Sequence, residues 1–487
     1  MDRKKTKKIR SARIVATNIF MSISVVAIVA VLMLIAMGFS FNESGDIQQS
    51  GLLQITSQPT RASVEIDQET LLSTTEVNKM VASGPHEIKI TKSGYDNWSR
   101  QINLEAGLLT RIEWVRLFPV EQNIESVDSF KSLRLVSYSA DSKHLLAAET
   151  NGATLNYLDL QSNPVKRAVI PLTQALGTND VVMTAQGSFK VESWNDSNNK
   201  VLLRWTRAEQ TSWHLVDLTA PEKSINLNNQ FALNFTKIAA ANDSASKLWA
   251  LADNNLYFID LGTTQISDAL ATKVERFANN KDTVAYLAEH ALYTYKDGEE
   301  GAVKILDLKE SDNIIFEMGT YWGDEWIAYA VNQDLYLLAG KYPNYKKNEG
   351  NTLERFISHE NLPYAPTAID VNASDRIITF WSGKDLASFD IETRDYYDLE
   401  LDGSNSIDWL DNYLLWESHD NKLVVRDFDG NNRREIIASD APISHAIISG
   451  NNQWLYYFET ITTPAPTEEN PMATTQTIVL KRLKLNV

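Results

Sequence analysis

The sequence contains no cysteine among its 487 residues. Disulfide bonds, thiolate catalysis, cysteine-based zinc sites and a lipid-modified cysteine beside a membrane anchor are therefore excluded. Histidine is scarce as well: seven residues occur, and no two of them lie at the i, i+2 or i, i+4 spacing at which neighbouring histidines share a metal ion. We predict no metal site and interpret the histidines as isolated turn or surface residues, while a site assembled from distant segments stays open.

The local motifs of common enzymes are missing too. No GxSxG nucleophile elbow, no P-loop and no GxGxxG dinucleotide fingerprint is present in a suitable context. The run Asp427–Asn431 resembles the start of an EF-hand calcium loop, but Asn432 and Ala438 occupy the positions where that loop needs Gly and Glu. We interpret the run as a hairpin turn. The sequence thus predicts no catalytic residue, no cofactor and no enzyme activity, and it assigns no binding residue.

Charge is absent from the stretch Ile19–Phe41. As a helix these residues span about 34 Å, enough to cross a hydrocarbon core of about 30 Å. We predict a transmembrane signal anchor over residues 14–41. A cleaved signal peptide is the alternative, because Ala36-Met37-Gly38 resembles a cleavage site. The apolar run is longer than the roughly 7 to 15 residues of a signal-peptide core, which favours the uncleaved anchor.

Residues 1–13 form a basic tail with seven Lys and Arg against one acid. By the positive-inside rule this tail is predicted to be cytoplasmic, which makes the protein a single-pass protein of the cell membrane with the bulk of the chain outside the cytoplasm. Taking the tail from the totals of 46 basic and 63 acidic residues leaves 39 and 62, a formal charge of −23. Such an acidic region disfavours nucleic acid as a partner.

A polar linker is predicted over residues 42–51, and from Leu52 the pattern changes. Apolar residues then occupy every second position in short segments that are separated by Pro, Gly, Asn or Asp. This period of two predicts short half-buried strands joined by turns. We therefore assign residues 52–119 to a small antiparallel sheet module.

The same module carries landmarks of a known family. They are the opening Ser57-x-Pro59, the strand Ala62-x-Val64-x-Ile66-Asp67, the turn Gly84-x-His86 before Ile88 and Ile90, and the pair Gly94-Tyr95. This order resembles the bacterial PEGA domain, which implies an envelope module that carries other domains and has no catalytic residues. The chain departs from the family pattern at Gln68, where the family has Gly, and at Leu71–Thr75, where the family has a Gly-x-Thr-Pro turn.

The rest of the chain repeats one pattern: a small polar turn, an apolar strand, a gap and a second strand that often ends in Asp-Leu. Eight copies begin at Ser139, Asn195, Asn242, Asn279, Gly323, Asn372, Leu410 and Gly450. Repeats of roughly 40 to 50 residues that are built from short strands are typical of β-propeller blades, and no helical periodicity accompanies them. Residues 120–487 are therefore predicted to form a propeller of seven or eight blades, with eight favoured.

The copy between Asn412 and Ile436 resembles WD-repeat-like and TolB-type propellers most clearly, since it ends in an Asp-x-Asp-Gly turn. The last copy needs one more outer strand. Residues 122–128, which precede the first copy, are predicted to supply that strand and close the ring. The complete prediction is an all-β extracytoplasmic region, made of a PEGA module and a propeller, behind a single N-terminal transmembrane helix.

Two features of the predicted propeller concern binding. Ten of the 12 tryptophans fall in it, mostly inside predicted strands where they pack between sheets, and one that faces a loop is a candidate anchor for a ligand. The Pro- and Thr-rich stretch Thr462–Thr477 is predicted to be an exposed loop.

The predicted function is that of a membrane-anchored binding or scaffold protein of the bacterial envelope, with a protein or glycan partner. The alternative is a propeller hydrolase or lyase that acts on envelope polysaccharide. That alternative requires acids or a histidine converging on the central channel.

Overall fold

The computed structural model describes residues 3–36, 38–41, 47–178, 187–340, 356–401, 406–464 and 474–486. Strands account for 58% and helices for 8% of the protein, so the predicted all-β fold class is confirmed. The chain divides into two compact units, residues 1–121 together with 487, and residues 122–486.

One long helix, α1 (Arg3–Ala36), opens the first unit. Its stretch Thr17–Ile35 has a mean hydropathy of 2.6 and no buried part, so by length and composition it can cross a membrane. The helix extends back into the predicted tail and ends five residues before the predicted end of the anchor. Gly38 follows, at a φ of +81°. A Cβ there would lie 2.3 Å from the amide nitrogen of Gly107, so only glycine lets the chain turn at this point.

The chain then enters a sheet directly, which corrects the predicted limits of the anchor and linker. Residues Phe39–Phe41 form β1, which pairs with the start of β2 (Ile47–Gln58). Residues 47–51 of the predicted linker therefore belong to β2, and residues 42–46 lie outside the described residues. The sequence pattern missed this because β1 is as apolar as the helix before it.

The first unit contains two four-stranded sheets, one with the order β1-β2-β5 and β8 beside β2, the other with the order β4-β3-β6-β7. The remaining strands are β3 (Ser63–Ile66), β4 (Glu69–Thr74), β5 (Val77–Ala82), β6 (Gly84–Thr91), β7 (Trp98–Leu104) and β8 (Leu109–Arg116). All pairs are antiparallel as predicted, apart from β2 and β8, which run parallel. Alternate residues of these strands, such as Ile55, Val64, Ile88 and Ile112, are fully buried.

The landmarks of the PEGA resemblance form hydrogen bonds that hold the turns of this unit. Asp67 Oδ2 lies 2.5 Å from His86 Nδ1, and Asp67 Oδ1 accepts the backbone N–H of Glu87. These two bonds, that to His86 first, lower the pKa of Asp67. Buried Ser57 contacts the hydroxyl of Thr75 at 2.6 Å. The altered segment Leu71–Thr75 thus still supplies a polar partner for the family's opening serine.

The second unit consists of eight four-stranded antiparallel sheets, which we number as blades 1 to 8. Blade 1 comprises β10 (Leu135–Tyr138), β11 (His144–Ala148), β12 (Thr154–Asp159) and β13 (Lys166–Pro171), and blade 2 comprises β14 (Ser188–Trp194), β15 (Lys200–Arg207), β16 (Gln210–Asp217) and β17 (Ile225–Asn226). Blade 3 comprises β18 (Phe235–Ala240), β19 (Lys247–Ala252), β20 (Asn255–Asp260) and β21 (Gln265–Ile266). Blade 4 comprises β22 (Val274–Asn280), β23 (Thr283–Ala288), β24 (Ala291–Lys296) and β25 (Val303–Asp307). Two short helices, α2 (Leu172–Leu176) and α3 (Leu227–Phe231), lie in the connections around blade 2.

Blades 5 to 8 continue the same order and confirm the favoured count of eight. Blade 5 comprises β26 (Ile314–Tyr321), β27 (Asp324–Val331), β28 (Asp334–Gly340) and β29 (Phe356–Asn361), and blade 6 comprises β30 (Ala368–Val371), β31 (Ile377–Ser382), β32 (Asp385–Asp390) and β33 (Asp395–Leu399). Blade 7 comprises β34 (Ser406–Trp409), β35 (Leu414–His419), β36 (Lys422–Asp427) and β37 (Arg434–Ala438). Blade 8 comprises β38 (Ile443–Ile448), β39 (Trp454–Pro464), β40 (Thr474–Lys484) and β9 (Ile124–Phe130). The Asp427–Asn431 run joins β36 to β37, so the predicted hairpin turn is confirmed.

The fourth strand of blade 8 comes from the start of the unit. Strand β9 pairs with β40 between Ile124↔Leu483 and Phe130↔Ile478, which confirms the predicted closure of the ring. Two ion pairs support this strand. Arg482 donates to Glu125 at 2.7 and 3.0 Å, and Arg167 of blade 1 donates to Asp128 at 2.9 and 3.0 Å.

The repeated polar turn of the sequence joins the first strand of each blade to the second. In blade 2, Asn195 Oδ1 accepts the backbone N–H groups of Asn199 and Lys200. Aromatic side chains then bond to the turn of the following blade. Tyr157 donates to Asn198 O at 3.0 Å, Trp249 donates to Lys281 O at 2.9 Å, and Trp326 donates to Asp375 O at 3.1 Å. The predicted packing of tryptophans between sheets is confirmed for buried Trp249 and Trp326.

The predicted loop Thr462–Thr477 differs from the expectation. Strands β39 and β40 pair up to Pro464↔Thr474, so the ends of this stretch form an exposed two-stranded ribbon. Residues 465–473 lie outside the described residues.

Candidate functional site: the central channel

The first strand of each blade is unpaired on its inner edge and lines the axis of the ring. Charges on opposite blades act on one another across this axis. Lys190 of blade 2 is close enough to Asp370 of blade 6 for its charge to lower the pKa of that acid. Blades 2 and 6 are opposite one another in a ring of eight, so both side chains extend into the central channel.

Three acids from consecutive blades form what we call the acidic arc: Glu317 of β26, Asp370 of β30 and Asp408 of β34. Desolvation inside the channel raises the pKa of Glu317 to about 7 and that of Asp408 to about 6. The charge of Asp370 contributes to both increases, and desolvation raises its own pKa as well. The three side chains retain surface accessible to water. The arc thus contains two carboxyl groups, those of Glu317 and Asp408, whose pKa values lie near neutral pH.

Four cations from blades 1 to 4 form the opposite wall, which we call the basic arc: Arg134, Lys190, Lys237 and Arg276. Three of them donate to a backbone carbonyl of the following blade. These bonds join Arg134 to Gly187 O at 3.2 Å, Lys237 to Phe277 O at 2.6 Å and Arg276 to Ile314 O at 2.8 Å. Lys190 instead pairs with Glu192 of its own strand at 3.0 Å. The channel is therefore electrically polarised between the two arcs.

Irregular inner strands help to form the basic arc. The pairing register shifts in β14 between Val191 and Ser193, in β18 before Lys237 and in β22 before Arg276. The inner strands that carry the acidic arc pair without a shift. A register shift changes the direction of the side chains beside it, so these bulges determine which residues of the basic arc face the axis.

A cavity of about 420 Å³ opens between the inner strands of blades 8, 1 and 2. Its polar lining includes Arg134, Ser137, Lys190 and His445. His445 lies in a bulge of β38 at a φ of +51°, a conformation that is unfavourable for a residue with a side chain. The side chain of His445 lines the same cavity as the two cations, and desolvation lowers its pKa.

Two other surfaces have features of a binding site. A cavity of about 690 Å³ between blades 2 and 3 is lined by Arg204, Trp205 and the amides Gln210, Asn228 and Asn234. Trp322 in the first turn of blade 5 is 73% exposed, so it is a loop-facing tryptophan of the kind predicted from the sequence to be a candidate ligand anchor. Neither surface gathers charged groups from several blades.

The inner strands that line the channel carry three acids and one histidine, which are the residue types that the alternative prediction required. Of the histidines predicted to be turn or surface residues, His214 is buried in blade 2 with 1% exposure, which corrects that assignment, while exposed His445 lines the cavity in the channel. Among the described residues no group of three or more His, Asp or Glu is placed to hold a metal ion. The arcs can bind charged ligand groups or exchange protons with them.

Sequence reasoning missed the channel residues because the repeat was defined from its polar turn onward. That definition omits the inner strand, which precedes the turn. The available signal was a charged residue a few positions before the turn, as at Lys190, Lys237, Asp370 and Asp408.

Comparisons with known proteins give one family match and several structural neighbours of low sequence identity. Residues 50–115 match the family model of the PEGA domain. A search of curated protein sequences finds no match for the chain. The C-terminal WD40 domain of Sif2 is 10% identical, with 73% of this chain and 97% of that chain covered and a TM-score of 0.45. AztD of Citrobacter koseri is 12% identical, with coverages of 79% and 96% and a TM-score of 0.39.

The β-propeller domain of Cps50 (Swd1) from Myceliophteria thermophila is 10% identical, with coverages of 74% and 99% and a TM-score of 0.37. The family match confirms the resemblance inferred from the Ser57–Tyr95 landmarks. The chain contains a PEGA domain followed by an eight-bladed β-propeller.

Proposed function

We propose that this protein is a membrane-anchored binding protein whose propeller recognises a protein or glycan partner outside the cytoplasm. The observation that carries the proposal is the polarised channel, where seven charged side chains from blades 1 to 7 converge on one axis. Carboxyl groups that are desolvated and crowded together are typical of ligand-binding sites, so we interpret the channel as the site that contacts the partner.

Helix α1 supplies the anchor in this proposal. Its apolar stretch follows a basic tail, which favours a cytoplasmic N-terminus and an exported propeller. A protease added outside intact cells is expected to degrade residues 52–487. Protection of that whole region would contradict the orientation.

Partner binding is tested with the full-length protein in detergent as bait against envelope extracts. The double variant Lys190→Gln/Lys237→Gln removes two charges of the basic arc and is expected to lose the partner. The variant Lys166→Gln/Lys223→Gln removes the same charge from exposed positions outside the channel and should retain it. Equal capture by both variants would place the binding surface elsewhere.

A second candidate is a hydrolase or lyase, favoured by the acidic arc alone. A carboxyl group with a pKa near 7, as at Glu317, can donate a proton, while a neighbouring carboxylate acts as base. We expect no turnover of envelope polysaccharides by the purified protein. Measurable cleavage that is lost in Glu317→Gln and retained in the exposed variant Glu300→Gln would favour the enzyme over the binding protein.

A further inference from the structure

We propose that the cavity between blades 8, 1 and 2 binds the carboxylate end of a short zwitterionic peptide, whose ammonium end faces the acidic arc. This inference rests on the proposed binding function and names the chemistry of the ligand. It starts from the cavity, which contains Arg134 and Lys190 on one wall and His445 on the other. Its volume of about 420 Å³ falls in the range of small-molecule sites.

The cations of the cavity are held in place for an anionic group. Arg134 donates to Gly187 O at 3.2 Å and to Gly152 O at 2.8 Å, and its guanidinium lies 4.4 Å from the ring centre of Phe189. Lys190 is tethered to Glu192, which is itself bonded to Arg204 at 2.8 Å. A guanidinium that is fixed in this way loses little freedom when it binds a carboxylate.

Net charge argues against a ligand that is only acidic. The chain beyond the basic tail has a formal charge of −23, which repels an anion at long range. A zwitterion has no net charge and escapes this repulsion, while the polarised channel still orients it. Lys190 acts on Asp370 across the axis, so the two arcs are close enough for a small molecule to meet both.

The apolar lining favours a peptide over a sugar. Leu133, Val136 and Val191 are partly exposed and offer aliphatic surface to small side chains. A sugar ring would need an exposed aromatic face, but Phe189 is covered by Arg134 on one side and packs against Trp205, at 6.4 Å between ring centres.

The test uses the full-length protein in detergent and tetra-alanine in four forms: both ends free, N-acetylated, C-amidated, and blocked at both ends. Isothermal titration calorimetry is expected to show that the free form binds and that blocking either end weakens binding about tenfold, the effect of one ordinary charge-assisted contact.

Two double variants identify which wall binds which end of the peptide. In Arg134→Gln/Lys190→Gln, which removes both cations of the cavity, the difference between the free and C-amidated forms should disappear, while that between the free and N-acetylated forms persists. In Asp370→Asn/Asp408→Asn the reverse is expected. Lys166→Gln, an exposed change on the outer strand of blade 1, should leave both differences intact. Because each comparison is made within one variant, a loss of folded protein cannot imitate this pattern.

Equal binding of all four forms, absence of binding at millimolar concentration, or end preferences that survive in both channel variants would overturn the inference. If the envelope partner is still captured in that case, the proposed binding function stands and only the ligand class is wrong. Preferential binding of a uronic-acid oligosaccharide over tetra-alanine would also overturn it, in favour of a glycan ligand.

Discussion

Arg376 and Asp390 form a bidentate ion pair inside blade 6, where each side chain is 1% exposed. The guanidinium donates from Nε at 2.9 Å and from Nη2 at 2.7 Å, and its third nitrogen lies 2.6 Å from Glu392. Tyr321 of blade 5 donates to the same Glu392 at 2.6 Å. This network connects two neighbouring blades, because it joins the buried Arg376–Asp390 pair to Glu392, which is 27% exposed and bonds to Tyr321.

The first prediction concerns this pair. Asp390→Asn removes one of the two counter-charges of buried Arg376 and leaves only Glu392, so the propeller should lose about 1.5 to 3 kcal/mol of unfolding free energy. Denaturant titration followed by tryptophan fluorescence measures the loss. Asp385→Asn changes an exposed acid of the same strand and should stay within about 0.5 kcal/mol of the parent. A small effect of Asp390→Asn would mean that the network relaxes around the neutral side chain.

The second prediction concerns Gln68 in the PEGA domain, which has a φ of +71° where the family pattern has glycine. Gln68→Gly relieves this conformation and should stabilise the domain by up to about 1 kcal/mol. Glu69→Gly in the extended strand β4 should destabilise it by a similar amount. Thermal unfolding of both variants shows whether each substitution raises or lowers the stability of the domain. A loss of stability in Gln68→Gly would show that the side chain makes a compensating contact.

The third prediction is a pH dependence from His214. Burial lowers the pKa of this histidine to about 4, so the folded protein holds it neutral. Its contribution is fully present above pH 6.5 and is lost as the pH falls towards 4, by about 3 kcal/mol in total. His214→Gln should flatten the decline of melting temperature between pH 7 and 4.5.

His290→Gln removes an exposed histidine and serves as the control for this experiment. An unchanged pH profile in His214→Gln would assign the acid sensitivity to other groups.

The fourth prediction concerns closure of the ring. A chain without residues 122–128 lacks four of the six residue pairs that join β9 to β40, and it also lacks the ion pair of Glu125 with Arg482. We expect a loss of roughly 5 kcal/mol in propeller stability, measured by thermal unfolding of chains that start at residues 120 and 129. Equal melting of the two chains would contradict this role of β9.

The sequence alone determined those features that depend on neighbouring residues. The length of the uncharged stretch specified helix α1, and the eight polar turns specified the number of blades. The alternation of apolar and polar residues, together with the Ser57-to-Tyr95 landmarks, specified the PEGA domain. These signals are local, because a turn needs a capping side chain such as Asn195 within five residues of the amides it binds.

Only the tertiary structure decided the channel. Glu317, Asp370 and Asp408 are separated by about 40 to 50 residues in the chain, and they meet because consecutive blades of a closed ring share one axis. Bulges in β14, β18, β22 and β38 then select which side chains of those strands face that axis. A bulge changes the facing of residues without changing the alternation of the sequence in any recognisable way, so the polarised channel became apparent only when the ring was closed.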